Sequence, residues 1–203
     1  MGNAENPTLI LASASPSRAA ILRQAGIDFG IQPSDCDEDS IKTRLKHAGA
    51  TVSEVAQALA EGKAEIVAGN FPSAYIIAAD QMLECDDSWL DKPKNLDQAR
   101  DHLKNLRGKT HFLVSSTVVY AHGSCVWRYG DRTEMRMRNF SDAFLEKYLS
   151  ETGDEVCRSV GAYQLEGLGA QLFDEIGGDY FSILGLPLLP MMRFLREEGI
   201  IDK

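Results

Sequence analysis

The chain has 203 residues, of which 44% are hydrophobic and 25% charged, with a net charge of −9. This is the make-up of an ordinary soluble globule, one large domain or two small ones, able to bury roughly 70% of its unfolded surface. The acidic balance excludes a protein that coats nucleic acid, because its whole-surface potential repels phosphate, and no run approaches the roughly 18 apolar residues of a membrane span.

Cysteines 36, 85, 125 and 157 form no C-x-x-C pair, and histidines 47, 102, 111 and 122 show no ligand spacing. Zinc and a disulfide framework therefore have no support, and reduced thiols are expected. The opening MGNAENPT has no basic segment followed by an apolar one, and its sixth residue is not the Ser or Thr of a myristoylation signal. A cytoplasmic protein is the expectation.

In chain order, Leu9–Ala12 reads as a short buried strand, followed by the small-residue turn Ser13-Ala14-Ser15 and a helix opening at Pro16. Proline suits the first helical position, Ser15 can cap the free N–H groups, and Gly26 can close the helix. A strand thus delivers Ser13 and Ser15 to a helix N-terminus with Arg18 in its first turn. Free N–H groups, a positive dipole end and a guanidinium suit phosphate. Such a terminus contributes only about 0.3–1 kcal/mol towards an anion, so a polyphosphate needs further cations.

Phe29–Pro33 reads as a second short strand, leading into the acidic loop Asp37-Glu38-Asp39 and a polar stretch over 40–50. Acid clusters of this kind can ligate Mg²⁺ or can simply be solvated. Thr51-Val52-Ser53-Glu54 fits a capping box that opens a helix to about Ala68, with Val55, Leu59, Ile66 and Val67 on its apolar face and Lys63 among alanines. Ala74–Asp80 is a near-continuous apolar run, a buried strand that continues to Cys85 and returns through Trp89-Leu90 as a hairpin. Its Asp80 follows six apolar or small residues, and a buried acid needs a cation or a metal, a loop salt bridge being the structural alternative.

Pro93 stiffens a loop between Lys92 and Lys94. Asn95 caps a helix that Gly108 stops, His111–Ala121 is a long strand that Gly123-Ser124 turns into Cys125–Tyr129, and Thr133, Met135 and Met137 alternate with charges as in a half-exposed strand. Ser141 opens a helix. Gly161–Leu165 and Ala170–Ile176 read as strands, the turn Gly177-Gly178 leads to Asp179–Leu184, and a last helix covers Leu188–Glu198. Gly167-Leu168-Gly169 lacks the third glycine of a dinucleotide fingerprint, so a close-packed turn is preferred. No P-loop or nucleophile elbow occurs. The fold class is α/β, with a mixed, strongly twisted central sheet, long antiparallel hairpins and flanking helices.

The segments LASASPSR, SDCDED, LAEGKA, AADQ, DKPK, GAYQLEGLGA and ILGLPL stand in the order and rough spacing of the Maf proteins. The resemblance runs from about Leu9 to Gly199. It implies one Maf-like domain over residues 1–203, with an architecture similar to the inosine-triphosphatase group. It also implies hydrolysis of a nucleoside triphosphate to monophosphate and pyrophosphate with Mg²⁺ or Mn²⁺, and a homodimer.

Carried over by motif, Arg18 and Lys92 hold the triphosphate with help from Lys63 and the hydroxyls of Ser13 and Ser15. Asp80 matches the catalytic carboxylate, as general base or as metal ligand, and Glu38 the acid of the metal-holding loop. Selectivity positions fall on Ser17, Gln81 and Glu166. The Gln and Glu pair resembles the branch favouring 7-methyl-GTP, whereas the branch acting on dTTP and UTP has Thr and Gln. Ser17 matches neither branch. A carboxylate at Glu166 suits the N1–H and 2-amino donors of guanine and the ring charge of its methylated form. Two other readings follow: a dTTP/UTP or broad-range pyrophosphatase, and a nucleotide-binding regulator of septum formation without turnover.

Overall fold

The computed structural model describes residues 8–202; the opening segment read for targeting signals lies outside them. Its seven-stranded mixed sheet has the order β2-β1-β3-β5-β6-β7, with β4 pairing with β3. The strands are β1 (Leu9–Leu11), β2 (Gly30–Ile31), β3 (Tyr75–Cys85), β4 (Ser88–Leu90), β5 (Thr110–Ala121), β6 (Ser124–Met137) and β7 (Phe173–Gly177). The α-helices are α1 (Pro16–Gln24), α2 (Glu38–His47), α3 (Val52–Asn70), α4 (Leu96–Leu106), α5 (Asp142–Thr152), α6 (Tyr180–Ile183) and α7 (Leu188–Glu197). The chain divides into two units: Met1–Asp80, Ser115–Gly130 and Gly185–Lys203 form the first, Gln81–Val114 and Asp131–Leu184 the second.

In the first unit β1 runs parallel to both β2 and β3, with Leu9, Ile10 and Leu11 opposite Tyr75, Ile76 and Ile77. The helices begin where the caps place them. Ser15 accepts from Arg18 N at the start of α1, and Thr51 and Glu54 form the complete capping box of α3. Small side chains let α3 lie close on the sheet: Ala60, Ala64 and Val67 pack with Ala12, Ile76 and Ala78. Ile66, expected on this apolar face, is instead 39% exposed.

The polar stretch over 40–50 is mostly helix. Asp37 caps α2 by accepting from Ser40 N, and Glu38 and Asp39 occupy its first turn, where acids complement the dipole. None of its residues is buried, so no apolar periodicity announced it.

In the second unit Asp86 and Asp87 take the left-handed conformation that turns β3 into β4. Asn95 caps α4 by accepting from Gln98 N. Two expectations need correction here. The stretch 161–165 is not a strand: Gly161 and Ala162 both have positive φ, which breaks an extended run, and 160–162 form a 3₁₀ turn. The stretch 179–184, to which the sequence pattern assigns no element, holds the short helix α6, capped by the Asp179 carboxylate accepting from Ser182 N. Strand β7 starts only at Phe173, because 168–172 form another 3₁₀ turn.

His111 is fully buried in this unit, its Nε2 2.8 Å from the Tyr163 hydroxyl and its ring against Tyr163 and Phe173. Its Nδ1 has no hydrogen-bond partner. Burial pulls the imidazole down from 6.5 to about 4. Below 6.5 the unfolded chain takes a proton that the folded chain refuses, so stability falls with pH through this window and levels off near the folded value. Between pH 7.5 and 5, His111→Gln should therefore lose about 2 kcal/mol less unfolding free energy than the parent chain. Urea titrations at the two pH values measure this, and equal losses would show that His111 is not held neutral.

Candidate active site

The site of the first unit grows from the carboxyl end of β1, the side on which open α/β sheets place their ligands. Strand β1 ends just before Ser13, and the chain turns at once into α1. Ser13 Oγ accepts from Ser15 N at 3.2 Å and from Arg18 Nη1 at 3.1 Å. On its other side Arg18 Nε donates to the Gly185 carbonyl at 2.9 Å. The guanidinium is thus gripped between the turn after β1 and the segment leading to α7. Burial lowers its pKa against the opposing pull of Asp80 and Glu38, and a guanidinium stays charged under such a shift.

Gly185, which the sequence marks only as part of the ILGLPL segment before the last helix, shapes this site. Its φ is +96°, and a Cβ there would stand 3.2 Å from Arg18 Nε. Both the backbone conformation and the close approach call for glycine.

Asp80 lies within β3 rather than at its end, and is 7% exposed. Lys63, from the overlying α3, reaches Asp80 Oδ1 at 2.6 Å and Glu38 Oε1 at 2.8 Å. Glu38 arrives on the first turn of α2, and α2 comes close because residue 62 is glycine. A Cβ on Gly62 would meet Cys36 Sγ at 3.2 Å and Ile41 Cδ1 at 3.3 Å. The LAEGKA segment is therefore small on purpose: alanines admit the sheet, glycine admits α2, and lysine joins the two acids. Burial pushes the Cys36 thiol up, with Lys63 opposing.

The structure brings together Ser13, Ser15, Arg18, Glu38, Lys63 and Asp80. The Ser15 hydroxyl serves as helix cap, and Ser17 sits half-buried at the second position of α1. Of the acidic cluster, Asp37 is spent on capping α2, while Glu38 pairs with Lys63. Among the described residues no three His, Cys, Asp or Glu side chains gather to hold a metal. Two carboxylates remain, a donor set that suits a hard cation completed by water and phosphate oxygens and does not suit zinc.

Three expected site residues belong to the second unit. Lys92 is exposed beside the buried Pro93, in a loop tied down by Lys94 N donating to Gln98 Oε1 at 2.8 Å. Gln81 Nε2 donates to the carbonyls of Ser182 and Ile183 at 3.2 and 3.0 Å, which holds its amide against α6. Glu166 is exposed on the turn over 164–170. That turn is as close-packed as expected, since a Cβ on Gly169 would come within 2.7 Å of Gln164 N.

A family model described as Maf-like protein matches residues 8–198. The chain belongs to the Maf-like family. It is 47% identical over 190 residues to a nucleoside triphosphate pyrophosphatase of Granulibacter bethesdensis, covering 94% of this chain and 96% of the relative. It is 48% identical over 190 residues to one of Paramagnetospirillum magneticum, covering 94% and 98%. It is also 44% identical over 196 residues to a 7-methyl-GTP pyrophosphatase of Rhizobium etli, covering 97% and 98%. In this Maf-like chain no helix among the described residues is long and apolar enough to cross a membrane.

The grip on Arg18 makes a stability prediction. Gly185→Ala should destabilise by at least ~1 kcal/mol from its positive φ alone, as should Gly199→Ala, whose φ is +70° with nothing within 4 Å. Only the first should couple to Arg18: its cost should shrink by at least ~0.5 kcal/mol in an Arg18→Ala background. Strict additivity in denaturant unfolding would mean that Arg18 does not press on Gly185.

Proposed function

We propose that this Maf-like protein hydrolyses a nucleoside triphosphate between its α and β phosphates, releasing the monophosphate and pyrophosphate. The observation that carries this reading is the cluster of Arg18, Lys63, Glu38 and Asp80 beyond the carboxyl end of β1, beside the N-terminus of α1. The relatives named nucleoside triphosphate pyrophosphatase and 7-methyl-GTP pyrophosphatase support it.

A loose phosphoryl transition state asks for positioning and charge neutralisation rather than covalent help. Arg18, held by Ser13 and Gly185, offers its guanidinium to phosphate oxygens in a fixed orientation, and the α1 N-terminus adds its dipole. Lys63 supplies a second positive charge beside Asp80; Lys92 is assigned to the triphosphate by the family resemblance. A divalent cation, Mg²⁺ or Mn²⁺, would be held by Glu38 and Asp80 and would supply charge neutralisation and a water of lowered pKa. Asp80 either accepts the proton of the attacking water or holds that cation.

Gln81 and Glu166 favour a guanine over a pyrimidine. A carboxylate can accept from N1–H and the 2-amino group, and a 7-methylated ring adds a positive charge for it to face. The substrate class proposed is therefore a modified purine such as 7-methyl-GTP.

The experiment is turnover across a panel of GTP, 7-methyl-GTP, UTP and dTTP, with products identified by chromatography. Monophosphate and pyrophosphate in equal amounts are expected, with 7-methyl-GTP leading, and Asp80→Asn should lower kcat at least ~100-fold. Diphosphate and orthophosphate products, or nucleotide binding without turnover, would overturn the activity. A lead for UTP and dTTP would overturn the roles given to Gln81 and Glu166.

A further inference from the structure

One ammonium stands between the two acids of the site. Lys63 Nζ is 2.6 Å from Asp80 Oδ1 and 2.8 Å from Glu38 Oε1, and the side chains of Lys63 and Asp80 are only 12% and 9% exposed. With Arg18 the cluster contains two positive and two negative charges, so it is balanced as it stands. The same two carboxylates are the donors available to a divalent cation. The ammonium already neutralises the negative charge that a divalent cation would draw on, so adding two charges to this balanced, half-buried group is opposed by both of its cations.

We propose that Lys63 is the placeholder of the metal site: it holds Glu38 and Asp80 together before the cation arrives and gives them up when cation and polyphosphate enter together. The incoming anion then receives the displaced ammonium, so the charge that leaves the carboxylates is used again on the phosphates. The structure provides for the movement. Lysine carries its charge on a flexible four-carbon stem, and Glu38 is 42% exposed on a helix none of whose residues is buried. The thermodynamic consequence is reciprocal coupling: metal raises nucleotide affinity by the factor by which nucleotide raises metal affinity. The proposal rests on the pyrophosphatase reading for the identity of the anion.

Mn²⁺ binding to the full chain tests it, followed by the electron paramagnetic resonance signal of the free ion. The wild-type protein alone should bind Mn²⁺ weakly, and at least ~10-fold more tightly with an α,β-imido nucleoside triphosphate, after correction for Mn²⁺ held by the analogue itself. Lys63→Met alone, its fold checked by circular dichroism, should bind Mn²⁺ at least ~10-fold more tightly than the wild-type protein alone. If that variant does not fold, the lysine ¹⁵Nζ spectrum of the wild-type protein decides. The Lys63 ammonium resonance should persist with Mg²⁺ alone and shift only with Mg²⁺ and analogue together. Equal Mn²⁺ affinity with and without analogue, no tightening in folded Lys63→Met, or an unmoved resonance with both bound would each overturn the proposal. Coupled binding without any turnover would sustain it while overturning the pyrophosphatase reading; turnover with uncoupled metal would do the reverse.

Discussion

A carboxylate in the middle of a buried strand is the constraint on which the first unit is built. Asp80 follows a run that packs into the core, and an ion in such a place is tolerated only when it is paired. Three helices answer it, each from a different part of the sequence: α3 brings Lys63, α1 brings Arg18, and α2 brings Glu38 to the far side of the lysine. Removing one partner of a buried pair leaves the other charge stranded. The same contacts that make the site chemically useful therefore also keep its two acids side by side.

Close approach is what makes this possible, and it depends on what is missing from the side chains. Ala60 and Ala64 let α3 settle on the sheet. Gly62 leaves room for Cys36 and Ile41, so that α2 can deliver Glu38 to Lys63. Gly185 combines a positive φ with a carbonyl aimed at Arg18. In the second unit Gly161 and Gly169 play a comparable part, compacting the turn that carries Glu166. Residues with no functional groups of their own set where the functional groups stand.

Much of this was legible in the sequence where local chemistry decides structure. Ser15 with Pro16, the Thr51–Glu54 box, Asn95 and Ser141 all placed helix starts, because a cap needs only a few neighbouring residues. Asp80 stood out because an acid at the end of an apolar run must be matched. Helix α2 was hidden because it buries nothing, and 161–165 misread as a strand because its alternation of residue types says nothing about the left-handed backbone at Gly161 and Ala162. The Gly185–Arg18 bond was out of reach for a different reason: it joins residues 167 positions apart, and no local pattern encodes such a meeting. The family resemblance named Glu38, Lys63 and Asp80 one at a time. That a single ammonium spans the two acids is visible only in the folded chain.

The most direct examination of this account is a crystal structure with Mn²⁺ and an α,β-imido nucleoside triphosphate, with the metal located by its anomalous scattering. The account predicts a Mn²⁺ peak in contact with the carboxylates of both Glu38 and Asp80, and Lys63 Nζ moved onto a phosphate oxygen. A Mn²⁺ peak elsewhere, with Lys63 still bridging the two acids while the nucleotide is bound, would contradict it.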